Sequence, residues 1–435
     1  MYSEFVEVYE ALASTQGRLE KTGILADFLK KILKKGESEW VYLLKGKVVA
    51  DYDVRETGIS EQLAIKAIAK GFGVREEEIV KKFRKVGDFG EIAEEFCGKR
   101  KQSTLFSGRL SVKKVFDNLR KITEIEGKGA VERKIGFVSE LLGDASDKEA
   151  KYIVRTLLGD LRVGVSDGII RDAIALAFFS EDKKEMAVAI DEAYDLAGSW
   201  AEILEAASEG KKGFRKINIV PGKPVRVMLP IKVEDIKEAF RICGTPLAIE
   251  HKYDGFRMVI TKDKKGEIKL FTRRLEEVTK QFPDVVSVVR KNVKGESFIL
   301  DSEVVGYDSD SGRYKPFESV SQRIKRKYDI ERLEKELPVE VNVFDVLYLN
   351  GQSLLEVEFR ERRKSVEKIV KTEKLKIRAS YQIVTESEAR AEEFYKAALK
   401  AGEEGIMFKK LDAPYKSGRR VGYIVKLKPS VKDLD

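Results

Sequence analysis

The sequence predicts a multidomain chain: an all-α first half, then an α+β, mainly antiparallel, second half. Over residues 1–208 apolar side chains recur at three- and four-residue spacing, the period of helices that bury one face. From residue 226 onward several segments switch to a period of two, which is that of strands. Between them, Glu209-Gly210-Lys211-Lys212-Gly213 and Pro221-Gly222-Lys223-Pro224 interrupt both periods, so residues 209–225 read as a linker. A length of 435 residues also exceeds one ordinary core.

Each helix has local reasons. In Ser60–Gly71 a serine can cap, Glu61 stands in the first turn, and a glycine follows the apolar run. Comparable units span Arg75–Lys85, Val112–Thr123, Lys134–Leu142, Asp147–Leu158 and Ile169–Phe179. In the second half, Pro246–Thr261 and Glu267–Arg274 read as strands around the turn Asp263-Lys264-Lys265-Gly266. Further strands are expected at Ser297–Tyr307, Val339–Leu349, Gly405–Lys410 and Gly422–Lys428. Helical stretches at Leu275–Val289, Phe359–Thr372 and Glu386–Ala401 separate them.

Composition narrows the chemistry. The one histidine, His251, and two distant cysteines, Cys97 and Cys243, leave no His- or Cys-based metal spacing and no Ser-His-Asp scheme with a choice of histidine. Catalysis must therefore draw on Lys, Arg, Asp and Glu. Cysteines far apart suit a reducing, cytoplasmic setting. No apolar run approaches the roughly 20 residues of a membrane span, and the start MYSEFVEVYEALAST has no signal-peptide pattern. A net charge of +9 permits a polyanionic partner. Lys81–Lys85, Lys99–Lys101 and Arg323–Lys327 are basic clusters suited equally to phosphate and to a solvated surface.

Charged side chains placed inside apolar strands carry the functional signal. Lys252 and Asp254 precede Gly255 in Glu250-His251-Lys252-Tyr253-Asp254-Gly255-Phe256-Arg257. Asp301 and Glu303 interrupt Phe298–Val305, Asp345 interrupts Asn342–Leu347, Glu404 and Lys409 flank Gly405–Phe408, and Lys426 and Lys428 share one face of a strand. Charges in strands are costly unless paired or used. Five such segments of opposite sign in one domain point to a phosphate-and-metal pocket. There Lys252 would attack phosphorus, which requires the neutral amine, with Arg257, Lys426 and Lys428 as nearby cations. Glu303 and Glu404 are hard oxygen donors suited to Mg²⁺. Phe344 offers a ring face to a base, or simply fills the core.

In this order the segments resemble the covalent nucleotidyltransferase superfamily of DNA ligases, RNA ligases and capping enzymes, and most closely the archaeal and eukaryotic-type ATP-dependent DNA ligases. Thr156–Val165 with Ile169–Ala173, and Gln102-Ser103-Thr104-Leu105, are similar to that family's helical DNA-binding domain. Pro224–Leu229 is similar to its entry into the adenylation domain, with Val227 where a second proline is usual.

The resemblance implies that Lys252 forms an AMP adduct from ATP, passes AMP to the 5′-phosphate at a nick, and that the 3′-hydroxyl then displaces AMP. These reactions serve replication, repair and recombination. It implies that Glu250 meets the adenine, that Arg257 and Arg273 meet sugar and phosphate, and that Phe344 stacks on the base. Glu303 and Glu404 would serve Mg²⁺ and ribose, and Arg420, Lys426 and Lys428 would grip phosphate. Gly159, Arg162 and Gly164 would contact DNA; a helix-ending turn is the alternative. His251 receives no role. Expected partners are nicked duplex DNA and a sliding clamp, for a monomer without membrane contact. The family continues into an OB-fold domain, of which residues 431–435 would be a stub, so weak self-adenylation is expected. A guanylyltransferase, an RNA ligase and a nick-binding module without turnover remain alternatives.

Overall fold

The computed structural model describes residues 1–53, 55–99, 110–326, 328–418 and 420–429. The Gln102–Leu105 segment, part of the basic clusters and the expected stub lie outside them. The chain divides into two compact units, residues 1–194 with 199–217, and residues 195–198 with 218–435.

The first unit contains only helices among the described residues. The expected helix near residue 60 runs Glu61–Phe72. Ser60 caps it by accepting from the Leu63 N–H, and Gly73 closes it at φ 68°. Gly71 therefore lies inside the helix rather than beyond it, and a Cβ there would stand 3.1 Å from Leu142 Cβ. Ser146 and Glu149 form a reciprocal capping box for Asp147–Leu157, a device worth about 1 kcal/mol. Helices at Ser3–Ser14, Arg18–Lys34, Phe89–Gly98 and Trp200–Ser208 add further core side chains, including Tyr9, Phe28 and Trp200. Asp88 caps Phe89–Gly98 at the Gly90 N–H (2.7 Å) and also pairs with the buried Arg155 at 2.6 Å.

The stretch read as a linker is not free chain. Lys211–Phe214 is a short helix of the first unit, while Ile219 and Val225 are buried in a core of the second. Apolar residues at those positions outweigh the glycine and proline signal.

The second unit is built on two sheets. Its strands are β1 (Ile231–Lys232), β2 (Leu247–Lys252), β3 (Phe256–Lys262), β4 (Ile268–Thr272), β5 (Phe298–Gly306), β6 (Val339–Leu349), β7 (Gln352–Ser353), β8 (Ile377–Ala379), β9 (Gln382–Thr385), β10 (Gly405–Lys410) and β11 (Ile424–Leu427). One sheet has the order β1-β11-β10-β2-β9. The other runs β4-β3-β5-β6-β7, with β8 also paired to β6. All pairs are antiparallel except β1 with β11 and β6 with β8.

The expected single strand Pro246–Thr261 is thus two strands in different sheets, and Tyr253–Gly255 makes the crossing. Gly255 is required there, because a Cβ would stand 2.4 Å from the Val304 carbonyl oxygen. The expected helix Leu275–Val289 starts only at Pro283, where proline's fixed φ suits the first helical position.

Helices Ile236–Cys243 and Glu388–Lys400 cover one face of the first sheet. Pro283–Asn292 and Phe359–Ile369 cover one face of the second. The remaining faces share a core that includes Val259, Ile299, Leu347 and Ile424. The charged strand residues lie around this shared core.

Candidate active site

Register explains why the charges converge. On β3, β5 and β6, Arg257, Glu303 and Asn342 are direct partners across the ladders, so their side chains share a face. On the first sheet Met407 pairs with both Glu250 and Lys426, and Gly405 pairs with Lys252. Alternation then puts Glu250, Lys252, Lys409 and Lys426 on the inward face.

Phe344 reaches the same space through an irregularity. The β5–β6 register steps from Asp301/Asp345 to Ser302/Val343, leaving Phe344 without a partner. Such a bulge re-aims side chains. The centre of the half-buried Phe344 ring lies 5.3 Å from the Arg257 guanidinium carbon and 4.3 Å from Lys409 Nζ.

Lys252 ends β2, largely buried, with its ammonium on the Glu404 carboxylate. Glu404 takes Lys428 on its other oxygen, and its backbone N–H donates to the Lys252 carbonyl at 2.9 Å. Burial works to raise Glu404 but is outweighed by the two lysines, which hold the carboxyl below its ordinary range. Gly405, at φ 148°, lets this corner form: a Cβ would stand 2.1 Å from the Leu427 carbonyl oxygen. Lys426 has no carboxylate partner among the described residues. Burial and the neighbouring Lys252 and Lys428 charges lower its pKa, against the pull of Glu404.

Arg257 is held more tightly than the sequence reading implied. Its Nε and Nη2 donate to Asp301 at 2.9 and 2.6 Å, Nη1 to the Met228 carbonyl at 2.8 Å, and Nη2 to the Tyr415 hydroxyl at 3.3 Å. Tyr415 in turn donates to Asp301 at 2.6 Å. A guanidinium has five N–H groups, so one on Nη1 has no acceptor among the described residues. Four of its five N–H groups are thus engaged by the core beneath the Phe344 ring.

Glu303 differs from the other carboxylates. No lysine or arginine nitrogen is within ion-pair distance of it among the described residues. Burial pushes its carboxyl up to about 7, against the influence of Arg257 and Lys252. No group of three potential metal ligands occurs among the described residues. Two nearby hard carboxylates nonetheless fit Mg²⁺, which completes its shell with phosphate oxygens and water.

Glu250 is buried, with Oε2 2.7 Å from Lys409 Nζ and Oε1 accepting from Gln382 Nε2 at 2.7 Å. The sequence reading gave Gln382 and Tyr415 no part, and neither has a motif that would reveal it. Asp345 turns out to be structural, in a buried pair with Arg362 at 2.8 Å. Arg273 and Arg420 are exposed, Arg273 just beyond β4 and Arg420 before β11. Lys426 senses the charge of Arg420, while among the described residues no contact joins Arg273 to the cluster. His251 faces away, against Phe394 (5.0 Å between rings) and Glu403 (3.4 Å).

In the helical unit, Gly159, Arg162 and Gly164 lie in the loop between Asp147–Leu157 and Asp167–Phe178. Gly159 follows the end of the first helix at φ 71°, and Gly164 has φ 67°. Arg162, itself at φ 57°, is half exposed and pairs with Asp160 at 2.7 Å and Asp88 at 3.2 Å. Of the basic clusters, Arg323 is fully buried, paired with Asp284 at 2.7 Å and 4.4 Å from the centre of the Phe282 ring, so it serves packing rather than a surface. No helix among the described residues is long and apolar enough to cross a membrane.

Comparison with known proteins agrees with this arrangement in both units. Residues 1–175 match the family described as DNA ligase N terminus, and residues 227–428 match the ATP dependent DNA ligase domain. The chain is 43% identical over 435 residues to the DNA ligase of Nanoarchaeum equitans and 41% identical over 436 to that of Thermococcus onnurineus. Each alignment covers 100% of this chain and 76% of the relative. The solved structure Pmar-Lig_PreS3 matches with a TM-score of 0.50 at 17% identity, over 98% of this chain and 78% of that one, a likeness of fold alone. With both halves matched in order and the relatives aligned throughout, the chain belongs to the ATP-dependent DNA ligase family and is a DNA ligase that uses ATP and binds DNA.

Proposed function

We propose that this ligase seals nicks in duplex DNA through an adenylated Lys252. The observation that carries the reading is the corner where Lys252, Glu404 and Lys428 meet, with Lys426 and Glu303 alongside. In the first step Lys252 Nζ bonds to the α-phosphorus of ATP and the bond to pyrophosphate breaks. The attacking amine must be neutral, and the Glu404 carboxylate in contact with Lys252 Nζ holds it in place. In the second step a 5′-phosphate oxygen at the nick bonds to the same phosphorus and frees Lys252. In the third, the 3′-hydroxyl attacks the 5′-phosphate, AMP leaves, and the phosphodiester bond is complete.

Lys426 and Lys428 stabilise the charge that builds on the phosphate oxygens. Glu250 accepts from the adenine amine, Phe344 stacks on the base, and Arg273 and Arg420 reach the sugar and phosphate from exposed positions. Glu303 and Glu404 would hold Mg²⁺, which would supply Lewis-acid neutralisation of the phosphates when bound. Gly159, Arg162 and Gly164 meet the DNA backbone, where glycines allow close approach and arginine neutralises charge. A monomer acting with a sliding clamp in replication, repair and recombination, in a cytoplasmic setting, completes the proposal.

The test is single-turnover sealing of a nicked duplex labelled at the 5′-phosphate. Adenylated DNA should form and then decay into the sealed strand, and Lys252→Ala should give neither. Sealing by Lys252→Ala, or binding without either species, would contradict the proposal.

A further inference from the structure

Behind Glu250 lies a buried charge that the three steps do not use. Lys409, on β10, is 4% exposed and Glu250 2%. The Lys409 ammonium has Glu250 Oε2 at 2.7 Å as its ionic partner, and the centres of the Phe344 and Phe359 rings at 4.3 and 4.8 Å. The contact is close enough for an ion pair, although the ammonium is not aligned as a hydrogen-bond donor to any group. Gln382 fixes the other Glu250 oxygen, and Arg363 Nη1 stands 3.8 Å from it while donating through Nη2 to the Ser380 carbonyl at 2.7 Å. Burial lowers the Lys409 pKa, and Glu250 and Asp345 oppose that shift.

This arrangement has a consequence for base recognition. A carboxylate only accepts hydrogen bonds, whereas a neutral carboxyl also donates one. Adenine presents an exocyclic amine where guanine presents a carbonyl oxygen. A fixed carboxylate therefore favours adenine and repels guanine, and one whose second oxygen is no longer held can turn away from the amine and discriminate less. We propose that Lys409 is a specificity-determining positioning residue: its ion pair, opposite the Gln382 contact, holds the Glu250 carboxylate in one orientation, and so makes the pocket select ATP over GTP. The inference rests on Glu250 meeting the base, as proposed above. The same ammonium lies against Phe344, so one side chain sets both the polar and the stacking contact of the base.

The test measures KM and kcat for nucleotide transfer to Lys252, using ATP and GTP labelled at the α-phosphate, in the full chain. In Lys409→Met the ATP-to-GTP ratio of kcat/KM should fall at least about tenfold, the scale of one charge-assisted hydrogen bond. The fall should come from a raised KM for ATP, with kcat little changed. Lys409→Arg should restore most of the ratio, and Glu250→Gln should lose as much as Lys409→Met. Circular dichroism checks folding; if Lys409→Met does not fold, Lys409→Gln is read in the same way. Wild-type selectivity in the Lys409 variants, with selectivity lost in Glu250→Gln, overturns this inference alone. An unchanged ratio in Glu250→Gln overturns both the inference and the adenine reading beneath it. Equal losses with both nucleotides in Lys409→Met and Lys409→Arg would assign Lys409 to packing and overturn the inference.

Discussion

Removing Asp301 should uncouple the second unit from its most heavily engaged cation. The carboxylate is fully buried and takes two hydrogen bonds from Arg257 and one from Tyr415. In Asp301→Ala the guanidinium keeps the Met228 carbonyl and the Tyr415 hydroxyl but no counter-charge. Breaking a buried pair from one side costs about 3–5 kcal/mol, because an uncompensated charge remains. Against a domain stability of roughly 5–15 kcal/mol, that is a third or more of the total in most cases. With a urea slope of about 2 kcal/mol/M, the midpoint of this unit should fall by about 1.5–2.5 M. Both tryptophans, Trp40 and Trp200, lie in the helical unit. Tryptophan fluorescence therefore follows that unit and serves as a control, while far-UV circular dichroism also follows the second. Arg257→Met combined with Asp301→Leu should recover most of the loss, since apolar replacements remove both charges together. A cost below about 1 kcal/mol for Asp301→Ala would refute the view that Arg257 is committed to this pair.

Four further outcomes are expected. Gly405→Ala should cost about 1–3 kcal/mol or more from overpacking and abolish Lys252 adduct formation, because its Cβ would meet the Leu427 carbonyl oxygen at 2.1 Å; normal adduct yield would show that the corner is not needed. In the helical unit, burial tends to raise Asp51, but Lys45, Lys47 and Tyr194 outweigh it and lower the pKa to about 2 from 3.8. A depressed carboxyl stabilises above its unfolded value, so about 2 kcal/mol present near neutrality should be lost as pH falls from about 4 through 2; acid titration of Asp51→Asn should lack that component. Arg162→Gln should reduce the slope of log affinity against log salt for duplex DNA by about one, as for one lost phosphate contact; an unchanged slope assigns Arg162 to the loop through Asp160 and Asp88. Removing divalent metal with a chelator should stop adduct formation and leave duplex binding in place, as checked by gel shift.

Much of the fold was legible because burial imposes a period. The capped run after Ser60 follows from one buried face, whereas β5, β6 and β10 stand out as short apolar runs because both faces of their sheets are covered. What escaped depends on partners distant in the chain. Pro246–Thr261 reads as one strand since both halves are apolar, and only the approach of Val304 to Gly255 shows why it breaks. Gly71 looked like a helix stop because its contact with Leu142 cannot be seen locally.

Within the site, charges in apolar strands marked Glu250, Lys252, Glu303, Glu404 and Lys426, and the structure gathers them on facing sheets. The charge pattern could not say which cations are already neutralised. Arg257 is taken by Asp301 and Lys428 by Glu404, leaving Lys426 without a carboxylate among the described residues. Nor could it give the bulge that aims Phe344, since a register shift is a property of two strands. Gln382 and Tyr415 act through a single hydrogen-bonding group each, a signal too small to stand out in sequence.

The central claim is that Lys252 carries the nucleotide. Incubation with ATP labelled at the α-phosphate, followed by denaturation, digestion and mass mapping, tests it most directly. The account predicts one acid-sensitive AMP adduct on the peptide containing Lys252, absent from Lys252→Ala and discharged by nicked DNA with a 5′-phosphate. An adduct on any other residue, or one that persists in Lys252→Ala, would contradict it.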